Sequence, residues 1–350
     1  MPTTSLLDRL RPVWRDRAVM ANLVAQVVIV VTGGAVRLTG SGLGCSSWPN
    51  CEPGQFIPEL RRDTSYHAFV EYGNRGLTVV LVVLAVAVAL LAGLDRTRTQ
   101  GYRVLAWVPI VGAVVQALVG MLAVVRELPP AVVGSHMALS LVLIAVSAWL
   151  WVRSREGDGP PAWLIDRFVR GLVAVLVLAG VVLLALGIVT TGAGPHSGDD
   201  EVGYRFAVDP YVMSRVHAVA VWVFGALLAL VLYRLQRLAK NSPAPVPDLG
   251  YEPADGGHQV VRGLAPVPPD HDVPLRTGYR LLGVTALQGA IGYAQVATGL
   301  PVWLVNLHML GAALLVAFLA LFVGTLRLRR RAPIRAIGEQ EVDLPDVAAA

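Results

Sequence analysis

The sequence predicts an all-α integral membrane protein, with eight transmembrane helices arranged as two tandem four-helix bundles related by pseudo-twofold symmetry. Three observations predict it. The 350 residues are 55% hydrophobic and only 15% charged, with a mean hydropathy of +0.60, which is too apolar for a soluble domain. Eight apolar runs, near residues 18–38, 68–94, 103–125, 131–152, 168–191, 211–233, 278–297 and 302–326, each have about the 20 residues that a helix needs to cross the hydrocarbon core. The last four runs repeat polar landmarks of the first four.

Taken in order, the first run follows Arg9, Arg11, Arg15 and Arg17 and has no small-residue cleavage site after it. It reads as a spanning helix rather than a removed signal peptide. Basic residues recur between alternate runs, at Arg96, Arg98 and Arg103, at Arg153, Arg155, Arg167 and Arg170, at Arg234, Arg237 and Lys240, and from Arg327 to Arg335. By the positive-inside rule these segments and both termini are cytoplasmic. The opposite segments carry Glu52, Glu59 and Asp63, then Asp199, Asp200, Glu201 and Asp209, and form the outer face. The net charge of +5 is therefore a topology signal and not a nucleic-acid face.

Between the sixth and seventh runs lies a Pro-dense stretch, from Pro243 to Pro274, that also holds His258 and His271. It reads as a disordered cytoplasmic linker with solvated histidines. The expected organisation is a cytoplasmic tail (1–17), an N-terminal half (18–152), a C-terminal half (168–326) interrupted by the linker (236–276), and a second cytoplasmic tail (327–350).

The internal repeat locates the chemistry. Gln116, Gly120 and His136 match Gln288, Gly292 and His308, with twenty residues between Gln and His in both. VTGGAVRLTGSG after Val30 is similar to VTTGAGPHSGD after Ile188, and Glu71-x-x-Asn74 aligns with Ser214-x-x-His217. An even number of helices per repeat gives both halves the same orientation, about an axis along the membrane normal. His136, His217 and His308 then fall at similar depth near outer helix starts, with Asn74 in the fourth equivalent place.

Neutral imidazole is the usual axial ligand of haem iron, and bundles build such sites from facing core side chains. His217 and His308 read as a bis-His pair. Zinc would want four ligands with Cys or carboxylate nearby, which neither repeat supplies at one depth. Gly112, Gly120, Gly289 and Gly292 fit room for a macrocycle or close helix packing equally well. Arg37, Arg75 and Arg215 near the outer ends suit propionates.

Glu71 and Arg75, in EYGNR, share a helix face at the mouth of the second run. They are a functional pair by default, with an interfacial ion pair as the alternative. Cys45 and Cys51, the only cysteines, sit in CSSWPNC on the first outer loop. A disulfide is the first reading, either as a loop staple or as a redox-active pair.

TGGAVRLTGSGLGCSSWPNC (residues 32–51), EYGNR (71–75) and the His residues that open the fourth, sixth and eighth helices resemble the heme A synthase family. The resemblance implies two four-helix bundles in a bacterial cell membrane that oxidise the ring-D methyl group of heme O to a formyl group, giving heme A for terminal oxidases. It implies heme b ligated by His217 and His308, substrate heme O contacted by His136, and Glu71 as catalytic carboxylate. One position departs from the family pattern: Asn74 stands where much of the family has His. His67 is no obvious substitute, since seven residues of helix displace it by about 10.5 Å. Heme O from a heme O synthase, and membrane lipid, are the implied partners, without nucleic acid; homo-oligomerisation and the electron acceptor are left open. A b-type electron-transfer cytochrome and a haem carrier or chaperone are the other classes compatible with the pattern.

Overall fold

The computed structural model describes residues 6–59, 65–196, 198–199, 201–241 and 272–329. Among these, nine α-helices follow one another: α1 (Leu6–Leu38), α2 (Tyr66–Val88), α3 (Gln100–Leu105), α4 (Val108–Val125), α5 (Pro130–Arg155), α6 (Arg167–Ala193), α7 (Pro210–Asn241), α8 (Asp272–Ala297) and α9 (Val302–Thr325). A π-helical turn, Ala89–Gly93, extends α2. The third apolar run is split into α3 and α4 because Pro109 sits in the first turn of α4, where a missing amide hydrogen is tolerated but a continuous helix is not.

Among the described residues, seven segments are long and apolar enough to cross a membrane: α1, α2 with its π turn, α3 with α4, α5, α6, α7 and α9. The protein is an all-α membrane protein. The sequence predicts eight spans, and the difference lies in α8, which has 26 residues but carries Arg276, Arg280, Gln288 and Gln295. Two expected boundaries also move. Helix α1 begins at Leu6, inside the expected tail of 1–17, and the expected linker of 236–276 is helical at both ends. Residues 1–5, 60–64, 197, 200, 242–271 and 330–350, and with them His258, His271, Asp63 and Asp200, lie outside the described residues.

Lipid tails are as apolar as leucine, so close packing holds these helices together more than the hydrophobic effect does. The central seam joins α1, α5 and α9 through Leu23, Val30, Ile144, Ala148, Ala313 and Ala317. Small residues there let the backbones approach. A second core joins α6 to α9 around Leu176, Phe224, Leu228, Leu281 and Phe322.

One end of the bundle is locked by ions. Arg15 pairs with Asp95, Arg98 with Asp158, Arg153 with Glu156 at 2.6 Å and Asp158 at 3.3 Å, and Arg327 with Glu156. Partial burial alone would raise the Asp158 carboxyl, but hydrogen bonds from Arg98 and the Thr99 N–H outweigh it and hold it below the usual carboxylate value. Two three-residue strands, β1 (Pro161–Trp163) and β2 (Arg327–Arg329), pair antiparallel with Ala162 opposite Leu328. The start of the expected cytoplasmic tail is thereby stitched to the connection between α5 and α6. Three residues carry no usable periodicity, so the sequence does not announce this sheet.

Candidate functional site

At the end of the bundle opposite the ion cluster, the segment after α1 folds against α2. Cys45 and Cys51 form a disulfide, with their Cα atoms 4.5 Å apart, and both are buried. The loop is fastened to α2 by the pair one turn apart on that helix. Cys45 N–H donates to Glu71 Oε2 at 2.8 Å, and the Arg75 guanidinium pairs with Glu71 Oε1. Arg75 Nη1 also donates to the carbonyls of Ser47 and Asn50, each at 3.0 Å, inside the loop that the disulfide closes. Gly44 makes the docking close: a Cβ there would fall 2.5 Å from the His67 carbonyl carbon. Glu71 is only 5% exposed, so its charge is offset by the guanidinium and the amide together.

Beneath the loop a cavity of about 690 Å³ opens, within the usual size range of small-molecule sites. Glu71, Asn74, Arg75, His136, His217 and His308 all line it. The three imidazoles are set alike. Each has a glycine of a neighbouring helix against its ring: a Cβ on Gly120 would lie 3.3 Å from His136 Cε1, on Gly187 3.1 Å from His217 Cε1, and on Gly292 3.2 Å from His308 Cε1. Two of the three have the same glutamine brace, since Gln116 Nε2 donates to the His136 carbonyl at 3.1 Å and Gln288 Nε2 to the His308 carbonyl at 2.8 Å. Nδ1 of His136, of His217 and of His308 is buried without a hydrogen-bond partner.

The rings of His217 and His308 face one another with centroids 6.4 Å apart and planes at 77°. Two metal–nitrogen bonds of about 2 Å each, with the two ring half-widths, fill that separation. Two imidazoles at this separation would suit haem iron, and the glycines beside them let the rings pack closely against neighbouring helices. Asn74 is committed locally, its Oδ1 accepting from Thr32 Oγ1 at 2.7 Å.

The other residues singled out in the sequence separate. Arg37 lines the cavity and donates to the Thr191 and His196 carbonyls at 2.8 and 2.7 Å, tying the segment after α6 to α1. Arg215 stands apart: it is exposed, stacks on the Tyr211 ring and is not among the lining residues. Ser214 bonds the Tyr211 carbonyl, and His67 bonds Ser41 Oγ at 2.8 Å. Gly120 and Gly292 face histidines, whereas Gly112 meets Leu143 and Gly289 meets open space. Gly187, Arg205 and Gln26 are among the lining residues that escape the sequence reading. Only Gly187 had a signal, its place on the helix before a His-bearing one.

The profile of the COX15-CtaA family, described as cytochrome oxidase assembly protein, matches residues 16–195. That is just over half of the chain and takes in the disulfide loop, Glu71, Arg75 and His136. The chain belongs to this family. Among its relatives are proteins named heme A synthase from Exiguobacterium sibiricum (28% identical, over 48% of this chain and 54% of the relative), Bacillus pumilus (31%, 48% and 54%) and Symbiobacterium thermophilum (32%, 40% and 44%). The chain spans about half the length of the curated relatives it matches. His217 and His308 lie beyond the segment that the family profile matches.

Proposed function

We propose that this membrane protein is a heme A synthase, which oxidises the ring-D methyl group of heme O to a formyl group. The observation that carries the proposal is the cavity itself. Three histidines with glycine-backed rings line it together with one buried carboxylate held by an arginine and a backbone amide. Names of relatives matched over half their length add to this reading.

In the proposal the protein has eight spans, with α8 as the eighth, and two four-helix halves related by a pseudo-twofold axis. The polar side chains of α8 that lower its hydropathy include Gln288 and Gln295, which face the cavity rather than lipid. The arginine-rich end is cytoplasmic and the disulfide end is outer, in a cell membrane. His217 and His308 hold heme b in the second half. When bound, that haem supplies a one-electron carrier close to the substrate.

The first half takes heme O, with His136 positioning it and Asn74 beside it. Arg37, Arg75 and Arg205 give the outer rim of the cavity a positive field for the propionates. Methyl oxidation to formyl is a four-electron step that adds one oxygen and releases protons. Glu71 is the carboxylate that accepts a proton there, held in place by Cys45 N–H and Arg75. The second repeat has Ser214, and no carboxylate, at the matching place, which suits one catalytic half and one cofactor half. The test is haem extraction from membranes that contain heme O. Heme A in the extract of the wild type, absent without the protein, supports the proposal, and unchanged heme O contradicts it.

A further inference from the structure

Two helical turns below the histidines, about 10.5 Å deeper, each four-helix half presents a second ring of side chains. Counting seven residues inward from Gly33, Asn74, Gly120 and His136 gives Gln26, Leu81, Ala113 and Leu143, all of which line the cavity. Counting the same way from Gly187, His217, Gly292 and His308 gives Gly180, Phe224, Thr285 and Leu315.

The two rings differ in polarity and in filling. In the second half Phe224 is fully buried and covers Gly180, where a Cβ would lie 3.3 Å from its ring, and the Thr285 hydroxyl is satisfied by the Leu281 carbonyl at 2.8 Å. In the first half Gln26 is 2% exposed and its Nε2 has no hydrogen-bond partner, and Asn22, one turn deeper on the same helix, is buried as well. A buried donor left without an acceptor is destabilising, and Nε2 is bonded to nothing in the resting packing. On either side of this ring's depth the cavity reaches the outside of the bundle along α2, where Val79 and Val83 line it yet are 58% and 61% exposed.

Heme O and heme B differ in one substituent. Heme O carries a hydroxyl-bearing isoprenoid arm on the ring edge away from the propionates, where heme B has a vinyl group. We infer that Gln26 is the subsite that reads this hydroxyl, and that the gap by Val79 and Val83 lets the isoprenoid chain run out into lipid. The inference rests on the heme A synthase reading and adds how the first half prefers heme O. With the propionates at the arginine rim, the arm points inward to the depth of Gln26, and the ring-D methyl, next to a propionate, stays near Glu71. In the second half Thr285 and Leu315 also line the cavity, but Phe224 takes the place of Leu81 and the Thr285 hydroxyl is already bonded, which suits a haem without the arm.

The test is spectral titration of the purified protein, its His217–His308 haem in place, with heme O and separately with heme B. Gln26→Leu and Gln26→Met remove the amide, and an intact low-spin spectrum establishes that each variant is folded. Both should bind heme O about five- to tenfold more weakly, the loss of one neutral hydrogen bond, while heme B binding stays unchanged. Gln26→Asn, which keeps the amide one carbon shorter, should recover part of the loss. Equal affinities of wild type and both variants for heme O, or an equal loss for both haems, overturn the inference alone. A wild type without preference for heme O over heme B overturns the substrate assignment and the inference with it.

Discussion

Glu71 has one oxygen on the Cys45 amide and the other on the Arg75 guanidinium, so Glu71→Gln keeps the size and the amide contact while removing the base. Losing a positioned acid–base group costs about 10²- to 10⁴-fold in rate. Extracts from the variant are expected to lose heme A and gain heme O or an alcohol intermediate. Its b-type spectrum should stay intact, because His217 and His308 are not in contact with the substituted group. The two histidines have their own test. His217→Leu or His308→Leu should each abolish the low-spin haem spectrum, and full retention in both would reassign the ligands. These residues were legible in the sequence because an ionisable group in an apolar run is conspicuous. Gln26 and Gly187 were not, since neither a single amide nor a single glycine announces what faces it.

Helix α2 and the disulfide loop act as one element. Arg75 reaches the loop carbonyls at Ser47 and Asn50 as well as Glu71, so it positions the carboxylate and the loop at once. Arg75→Ala is expected to lower the heme A to heme O ratio at least tenfold while leaving the b-type spectrum unchanged. Arg75→Lys should recover only part, because a point charge replaces a planar fork. Heme A output at the wild-type ratio in Arg75→Ala would remove this role. The sequence put Glu71 and Arg75 on one face but could not show the Cys45 amide. A backbone donor that lies 26 residues earlier in the chain leaves no pattern at the acceptor. The same limit hid the β1–β2 pairing and the break at Pro109, where hydropathy runs straight through.

At the scale of the whole molecule, the two ends of the bundle do different work. The ion cluster packs Arg153 at 6% side-chain exposure between Glu156 and Asp158 and ties α1, the turn before α3, the end of α5 and β2 together. Arg153→Ala leaves Asp158 to Arg98 and Glu156 to Arg327, so it should cost less than the roughly 3–5 kcal/mol of a fully orphaned buried charge, read as a modestly lower melting temperature in detergent. Asp158, whose folded carboxyl sits below its ordinary value of 3.8, adds stability that is complete above that pH and fades as pH falls through the lower folded value. Asp158→Asn should therefore flatten the acid limb of the melting profile, and an unchanged limb would place the acid sensitivity elsewhere. Hydropathy alone gave the membrane class and the helix order. It counted α8 as an eighth span, whereas seven segments among the described residues are long and apolar enough to cross a membrane.

The most direct test of the central claim is haem analysis of a host that makes heme O but has no heme A synthase of its own, carrying either the wild-type chain or Glu71→Gln. The account predicts heme A with the wild type, and heme O without heme A in Glu71→Gln, with an equal b-type spectrum in both purified proteins. Heme O left unconverted by a wild type that carries its full b-type haem would contradict it.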